Sequence, residues 1–188
     1  MVLDINTEVF EEFLGDYTGF FTGSFIAKKK KLNQKTTANY LQNLEKEGIL
    51  KSKIQGKNKN YFLNLENKEI VKNFILAIEH LRTIKFYKKN LVIKEISEKI
   101  NKHISGSALI FGSYAKGIQK KDSDLDILIV GNGNEKEIEK IGKTYNIEIS
   151  LKIYSEFKRD VLTKESMKQH IFIKNPEQLI EEILDDNN

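Results

Sequence analysis

Apolar positions recur at helical spacing almost from the start of the chain. A pattern beginning near Ile5 puts Val9, Phe10, Phe13 and Leu14 on one face, and Gly15 and Gly19 break it. A short helix is predicted over 24–30, with Phe25 and Ile26 turned inward. Asn33 is a suitable N-cap for a helix that runs to about residue 47 and stops at Gly48. Its inward stripe is Ala38, Leu41 and Leu44; Lys35, Thr36, Asn39, Asn43 and Lys46 lie opposite. Two short β-rich segments follow, 49–54 and 61–65, joined by a hairpin loop over 56–60. Helical spacing returns over 67–85, where Ile70, Phe74, Ile78 and Leu81 share a face, and over 91–103, with Ile93, Ile96 and Ile100. These stripes are packing surfaces, for a neighbouring domain or a partner subunit.

Beyond residue 104 strands and helices alternate. Ala108, Leu109, Ile110 and Phe111 read as a buried strand that enters a glycine-bounded turn over 112–117. A second strand occupies 127–130, and a helix follows over 135–145. Over 147–154, Ile147, Ile149, Leu151 and Ile153 alternate with Glu148, Ser150 and Lys152, the period of a half-buried strand. A helix is predicted over 155–170. Asn175 caps a last one, with Pro176 at its first position and Leu179, Ile180, Ile183 and Leu184 buried.

Charge separates the two halves. Residues 1–104 carry 19 basic and 12 acidic side chains, a net +7, whereas residues 105–188 carry 12 and 15, a net −3. The stretch 22–64 is the most basic, with ten Lys against Glu45 and Glu47. A polyanion is the natural partner of such a stretch, although lysines also cover solvated faces. The absence of Cys excludes disulfides, Cys-zinc sites and thiol catalysis, and three scattered His do not form a metal cluster. The apolar run at 127–130 is too short to span a bilayer, and the acidic start MVLDINTEVFEEF lacks the apolar core of a signal peptide. A cytoplasmic protein without membrane association is expected.

The segments "IAKKKKLNQKTTANYLQNLEKEGIL" and "GKNKNYFLNL" together resemble a winged helix-turn-helix domain over roughly 5–66. The resemblance implies that Lys35, Thr36, Asn39 and Asn43 face bases or phosphates of DNA or RNA, with Lys57 and Lys59 on the wing. Lys neutralises phosphate and Asn can pair bidentately with adenine. The same surface also suits a docked protein partner, and the outward face holds no Arg.

Asp124 and Asp126, at i and i+2 of an extended segment, project together about 7 Å apart. Two anions at that range repel by roughly 2 kcal/mol at an effective dielectric near 20, and a divalent cation between them reverses the sign. Oxygen ligands suit Mg²⁺ or Mn²⁺. Nearby, Gly112 lets backbone approach closely, Ser113 adds a hydroxyl, and Lys116 offers a charge, the makings of a phosphate cradle.

The whole motif, "GSYAKGIQKKDSDLDILIV", resembles the polymerase-beta-like nucleotidyltransferase superfamily, specifically its minimal members. The resemblance implies that Gly112 and Ser113 hold a nucleoside triphosphate and that Asp124 and Asp126 bind two metals. It also implies a third carboxylate on a later strand. Glu148 is the acidic residue available there, as third ligand or as an exposed charge at a strand edge. Members transfer a nucleoside monophosphate to an acceptor hydroxyl; some act as antitoxins or modify partner proteins.

The expected fold class is therefore α+β: a winged helix domain over 1–66, connecting helices over 67–104, and a nucleotidyltransferase fold over 105–188 with a small mixed sheet and flanking helices. The expected function is metal-dependent nucleotidyl transfer alongside nucleic-acid binding. The alternative is a DNA-binding regulator or antitoxin whose second domain holds nucleotide or a partner without turnover. A homodimer fits either.

Overall fold

The computed structural model describes residues 7–185, so the start of the helical pattern at Ile5 lies outside the described residues. The chain divides into two units, one formed up to Ile78 together with the chain from Ile183, the other by Glu79–Glu182.

The first unit runs α1 (Thr7–Gly15), β1 (Phe21–Thr22), α2 (Gly23–Lys30), α3 (Gln34–Lys46), β2 (Leu50–Gln55) and β3 (Asn58–Leu63). That order, with an antiparallel sheet β1-β3-β2, is a winged helix-turn-helix topology. Local chemistry sets its boundaries. Thr22 Oγ1 accepts from the Phe25 amide at 3.1 Å and starts α2, and the Asn33 side chain accepts from the Thr36 amide at 3.1 Å and starts α3. Gly48, at φ +73°, turns the chain out of α3.

The inward stripe of α3 is Thr37, Leu41 and Leu44, with Ala38 only half-buried. Phe25, expected inside, is exposed. The Thr22 cap fixes the phase of α2 so that Ile26 and Ala27 face the core, and Phe25 lies beside Phe21, ring centroids 6.1 Å apart. The hairpin is tighter than the pattern predicts. Asn58 pairs with Gln55 and Lys59 with Ile54, leaving Gly56 and Lys57 to turn. Ladder bonds need only backbone, so this polar strand end carries no apolar alternation.

The second unit takes the end of α4 (Lys68–Lys89), then α5 (Leu91–Ile100), β4 (Ile104–Ile110), α6 (Gly112–Lys116), β5 (Leu125–Gly133), α7 (Glu135–Thr144), β6 (Ile149–Tyr154), α8 (Val161–Lys168), β7 (Ile171–Lys174) and most of α9 (Pro176–Asp185). The sheet is mixed, in the order β6-β5-β4-β7; β5 and β6 are parallel and the other pairs antiparallel. Ile93, Ile96 and Ile100 of α5 and Ile138 of α7 pack with Leu125, Ile127 and Ile129 of β5 and Ile149 of β6.

Several elements differ from the pattern reading: β4 and β5 are longer than the strands expected at 108–111 and 127–130, and α6 forms within the expected turn over 112–117. β7 was unmarked, because four residues between polar neighbours are too few to show a period. The helix expected over 155–170 shortens to α8, started by Asp160, whose side chain accepts from the Thr163 amide at 2.8 Å. β6 begins at Ile149, because the Ile147 amide still bonds Gly142 O at the end of α7.

β7 is an edge strand whose outward carbonyls are capped by side chains. Arg82 donates to His170 O at 2.8 Å, Thr83 to Phe172 O at 2.9 Å, and Asn101 to Ile173 O at 2.8 Å. Beneath Arg82 lies Glu79, fully buried, with Arg82 Nη1 at 2.8 Å and His170 Nε2 at 3.0 Å. Burial alone would raise the Glu79 carboxyl, but His170 and Arg82 outweigh it and hold the group below its ordinary value. Glu79→Gln is expected to destabilise the protein by about 3–5 kcal/mol, because Arg82 and His170 lose the buried carboxylate that both contact. A depressed carboxyl contributes stability that is complete above the ordinary Glu value near 4.3 and lost as pH falls through the lower folded value. Urea titrations between about pH 6 and pH 3 should therefore show a loss in the natural protein that is smaller in Glu79→Gln.

Candidate functional site

Leu125, Ile127 and Ile129 of β5 and Ile149 of β6 point into the core. Strand alternation therefore sends Asp126 to the opposite face of β5, and Ser150 and Lys152 to the same face of β6; Asp124, just ahead of β5, lies close enough to act on Asp126. The parallel register sets Asp126 beside Ser150 and Leu128 beside Lys152. Ser150 thus stands next to the Asp126 carboxyl and favours its charged form.

From the other side, the end of β4 closes on the same carboxylate. Phe111 N donates to Asp126 O at 3.0 Å, and Gly112 follows at φ +68°. A Cβ built on Gly112 would lie 2.1 Å from Asp126 Oδ2. Glycine is thus required here by the carboxylate itself, as well as by the left-handed backbone. The short α6 then carries half-buried Ser113, buried Tyr114 and exposed Lys116, and ends at Gly117.

Burial and the neighbouring Asp124 push the Asp126 carboxyl above its ordinary value, against the opposing pull of Ser150, Lys116 and Lys152. Burial and Asp124 likewise raise the Tyr114 hydroxyl. Gly112, Lys116, Asp124 and Asp126 are therefore brought together, with Ser113 next to Gly112. Glu148 is exposed and lies just ahead of β6, where its carbonyl accepts from Leu125 N at 2.8 Å. It borders a cleft with Glu139, Lys143 and Asn146, and is not among the groups acting on Asp126. The position beside Asp126 belongs to Ser150. Sequence reasoning missed Lys152 as a member of the site; the signal available was its place on the polar face of β6, two residues beyond Ser150.

The donor set fits a single divalent cation. Two carboxylates lie close enough to repel, and that repulsion is what a cation between them removes. Among the described residues, no three of His, Cys, Asp and Glu converge as a cation cage.

In the first unit, α3 exposes Lys35, Thr36, Asn39 and Asn43 together with Gln42 and Lys46. Lys57 is exposed at the hairpin turn. Lys59 stands apart. Its Nζ lies 2.6 Å from Glu45 Oε2 and 5.1 Å from the Tyr61 ring centre, so its charge is already engaged. Burial works to raise the Glu45 carboxyl, yet hydrogen bonds from Lys59 and Ser52 bring it below the ordinary range. Lys29 and Lys30 are tied to Glu12 and Glu11 at 2.7 and 2.5 Å.

Residues 89–185, just over half of the chain, match the nucleotidyltransferase domain family. No curated protein matches the chain. A solved toxin–antitoxin with AMP-PNP is 21% identical over 47% of this chain and 77% of its own, with a TM-score of 0.40. MepR, a transcription regulator of the Staphylococcus aureus multidrug efflux pump MepA, is 22% identical over 47% of this chain and 64% of its own, with a TM-score of 0.34. A homodimeric winged helix-turn-helix DNA-binding domain from Mycobacterium bovis, a possible ArsR-family regulator, is 20% identical over 40% of this chain and 67% of its own, with a TM-score of 0.33.

Two outcomes follow from the packing at Asp126. Gly112→Ala should cost more than the ~1–2 kcal/mol of a left-handed Ala, and the excess should fall in an Asp126→Ala background. A double-mutant cycle by chemical denaturation reads that coupling. Asp126→Asn should raise the melting temperature at neutral pH without divalent cation. A carboxyl raised by folding lends stability only below its ordinary value and loses it as pH rises through the folded value. The gap between the two proteins should therefore close in acid.

Proposed function

The chain belongs to the nucleotidyltransferase domain family, and from that premise we propose that it transfers a nucleoside monophosphate from a nucleoside triphosphate to an acceptor hydroxyl at the Asp124–Asp126 pair. The observation that carries this reading is the seating of Asp126 against bare Gly112, with Asp124 close beside it. Asp124 and Asp126 hold Mg²⁺ or Mn²⁺, which when bound offsets the charge on the phosphate oxygens. Ser113 offers a hydroxyl to the triphosphate, and Lys116 neutralises part of its charge. The acceptor hydroxyl oxygen bonds to the α-phosphorus and gives its proton to water, as the bond from the α-phosphorus to the oxygen bridging it to the β-phosphorus breaks and pyrophosphate leaves with that oxygen. α3 and the hairpin bind DNA or RNA through Lys35, Thr36, Asn39, Asn43 and Lys57, with Lys59 held back by Glu45.

Ser150 beside Asp126, in place of an acid, favours a second reading: a nucleic-acid-binding regulator or antitoxin whose second unit holds nucleotide without turnover. Incubation with each α-labelled nucleoside triphosphate, Mg²⁺ or Mn²⁺ and cell extract separates the two. Transfer of label to an acceptor supports the first. Retention of nucleotide with no labelled product supports the second. Asp124→Asn and Asp126→Asn should each lower transfer by about 100-fold or more, a loss of several kcal/mol of charge stabilisation.

For the basic face, affinity for duplex DNA should fall steeply with salt. The Lys35→Ala/Lys57→Ala variant should flatten the log–log slope by about 1–2 units. Lys59→Ala should leave that slope nearly unchanged, because its ammonium is already paired with Glu45. Binding titrations of the full chain at two salt concentrations check both, and salt-independent or absent binding removes the nucleic-acid part of the reading.

A further inference from the structure

Four charged groups gather at Asp126: Asp126 itself from β5, Asp124 just ahead of that strand, Lys116 from α6 and Lys152 from β6. Before any ligand arrives they sum to zero. The place beside Asp126 on the adjacent strand holds Ser150, which brings a neutral hydroxyl and no carboxylate to that position. One pleat further along the same face comes Lys152, exposed, with a stem long enough to bring its ammonium into the field of Asp126. A second divalent cation at Asp126 would find a neutral hydroxyl where it needs an anionic oxygen, and a positive charge beside it. Hard cations of this kind require about six oxygen ligands, and carboxylates supply the charge that holds them.

We infer that this site binds one divalent cation, not two, and that Lys152 is a phosphate-binding residue standing where a second cation would otherwise act. This rests on the nucleotidyltransferase reading given above and specifies it. The ligand class is a triphosphate chain coordinated by one cation on the Asp124–Asp126 side and contacted by Lys152 on the β6 side. A Lys ammonium serves such a role as a point charge with three donors, and the absence of geometric demand suits an exposed strand position.

The test counts ions on the full chain. Native mass spectrometry with Mn²⁺ and inorganic tripolyphosphate should show a ternary complex with one Mn²⁺ per chain. Ser150→Asp should raise the count to two. Lys152→Ala should keep one Mn²⁺ while weakening tripolyphosphate binding about tenfold or more, the scale of one charge-assisted hydrogen bond, and Lys152→Arg should restore most of it. Two Mn²⁺ on the natural protein, or unchanged tripolyphosphate affinity in a folded Lys152→Ala, overturns the inference and leaves the nucleotidyltransferase reading intact. Failure of tripolyphosphate and Mn²⁺ to bind the natural protein at all overturns both. Because Lys152 is exposed and the natural protein is itself counted, neither result depends on Ser150→Asp folding.

Discussion

The Asp126 carboxylate lies against the naked Cα of Gly112, and the geometry of the second unit is arranged around that contact. An anion partly withdrawn from water, with Asp124 beside it, is a cost that must be offset nearby. Ser150, Lys116 and Lys152 supply the offset from two other elements. The contact constrains the chain in three ways at once. Residue 112 must lack a Cβ, the end of β4 must hydrogen-bond back to Asp126, and β6 must run parallel in the one register that presents Ser150. A slip of one residue in β6 would turn Ser150 and Lys152 into the core and bring Ile149 and Leu151 out.

That arrangement depends on the register of the central strands, β5 and β4. β4 is flanked by β5 and β7, and β7 would be an open edge but for side chains that cap its outward carbonyls. The caps are anchored by a cluster around fully buried Glu79, set between half-buried Arg82 and buried His170. Such a cluster adds little over an apolar packing of equal volume, but it fixes one register strongly, because a shifted strand would strand a buried charge. Gly106 and Gly131 act at the far end of the same strand pair. They face each other in register, and a Cβ on either would lie 2.2 Å from a carbonyl oxygen of the other strand, so the backbones approach as side chains would forbid.

In the first unit the count of lysines overstates the charge available to a partner. Lys29, Lys30, Lys51 and Lys59 are each engaged by a carboxylate of the same unit. The positive charge left outward includes Lys35 and Lys46 on α3 and Lys57 at the hairpin turn, together with exposed Lys28, Lys31 and Lys53. On α3 these charges stand among exposed amide and hydroxyl side chains, Thr36, Asn39, Gln42 and Asn43, a mixture that can both neutralise phosphate and hydrogen-bond to it.

The sequence by itself determined what depends on neighbours along the chain. Asn33 and Gly48 mark the ends of α3, and the Leu41–Leu44 stripe marks its inner face, because caps and helical faces are set within a few residues. The pairing of Asp124 with Asp126, and their link to a glycine turn, were legible for the same reason. The tertiary structure alone decided the rest. Which residue of β6 meets Asp126 depends on strand register, which no local pattern fixes, and it gave Ser150 where alternation by itself also allowed Glu148. β7 and the polar end of β3 formed through backbone pairing with distant partners, which leaves no mark in side-chain periodicity. Whether Lys59 was free or paired turned on Glu45, fourteen residues away on α3 and brought near only by folding. Gly112 shows the division within one residue: the chain announced a tight turn there, and only the fold revealed that the carboxylate of Asp126 occupies the space a side chain would need.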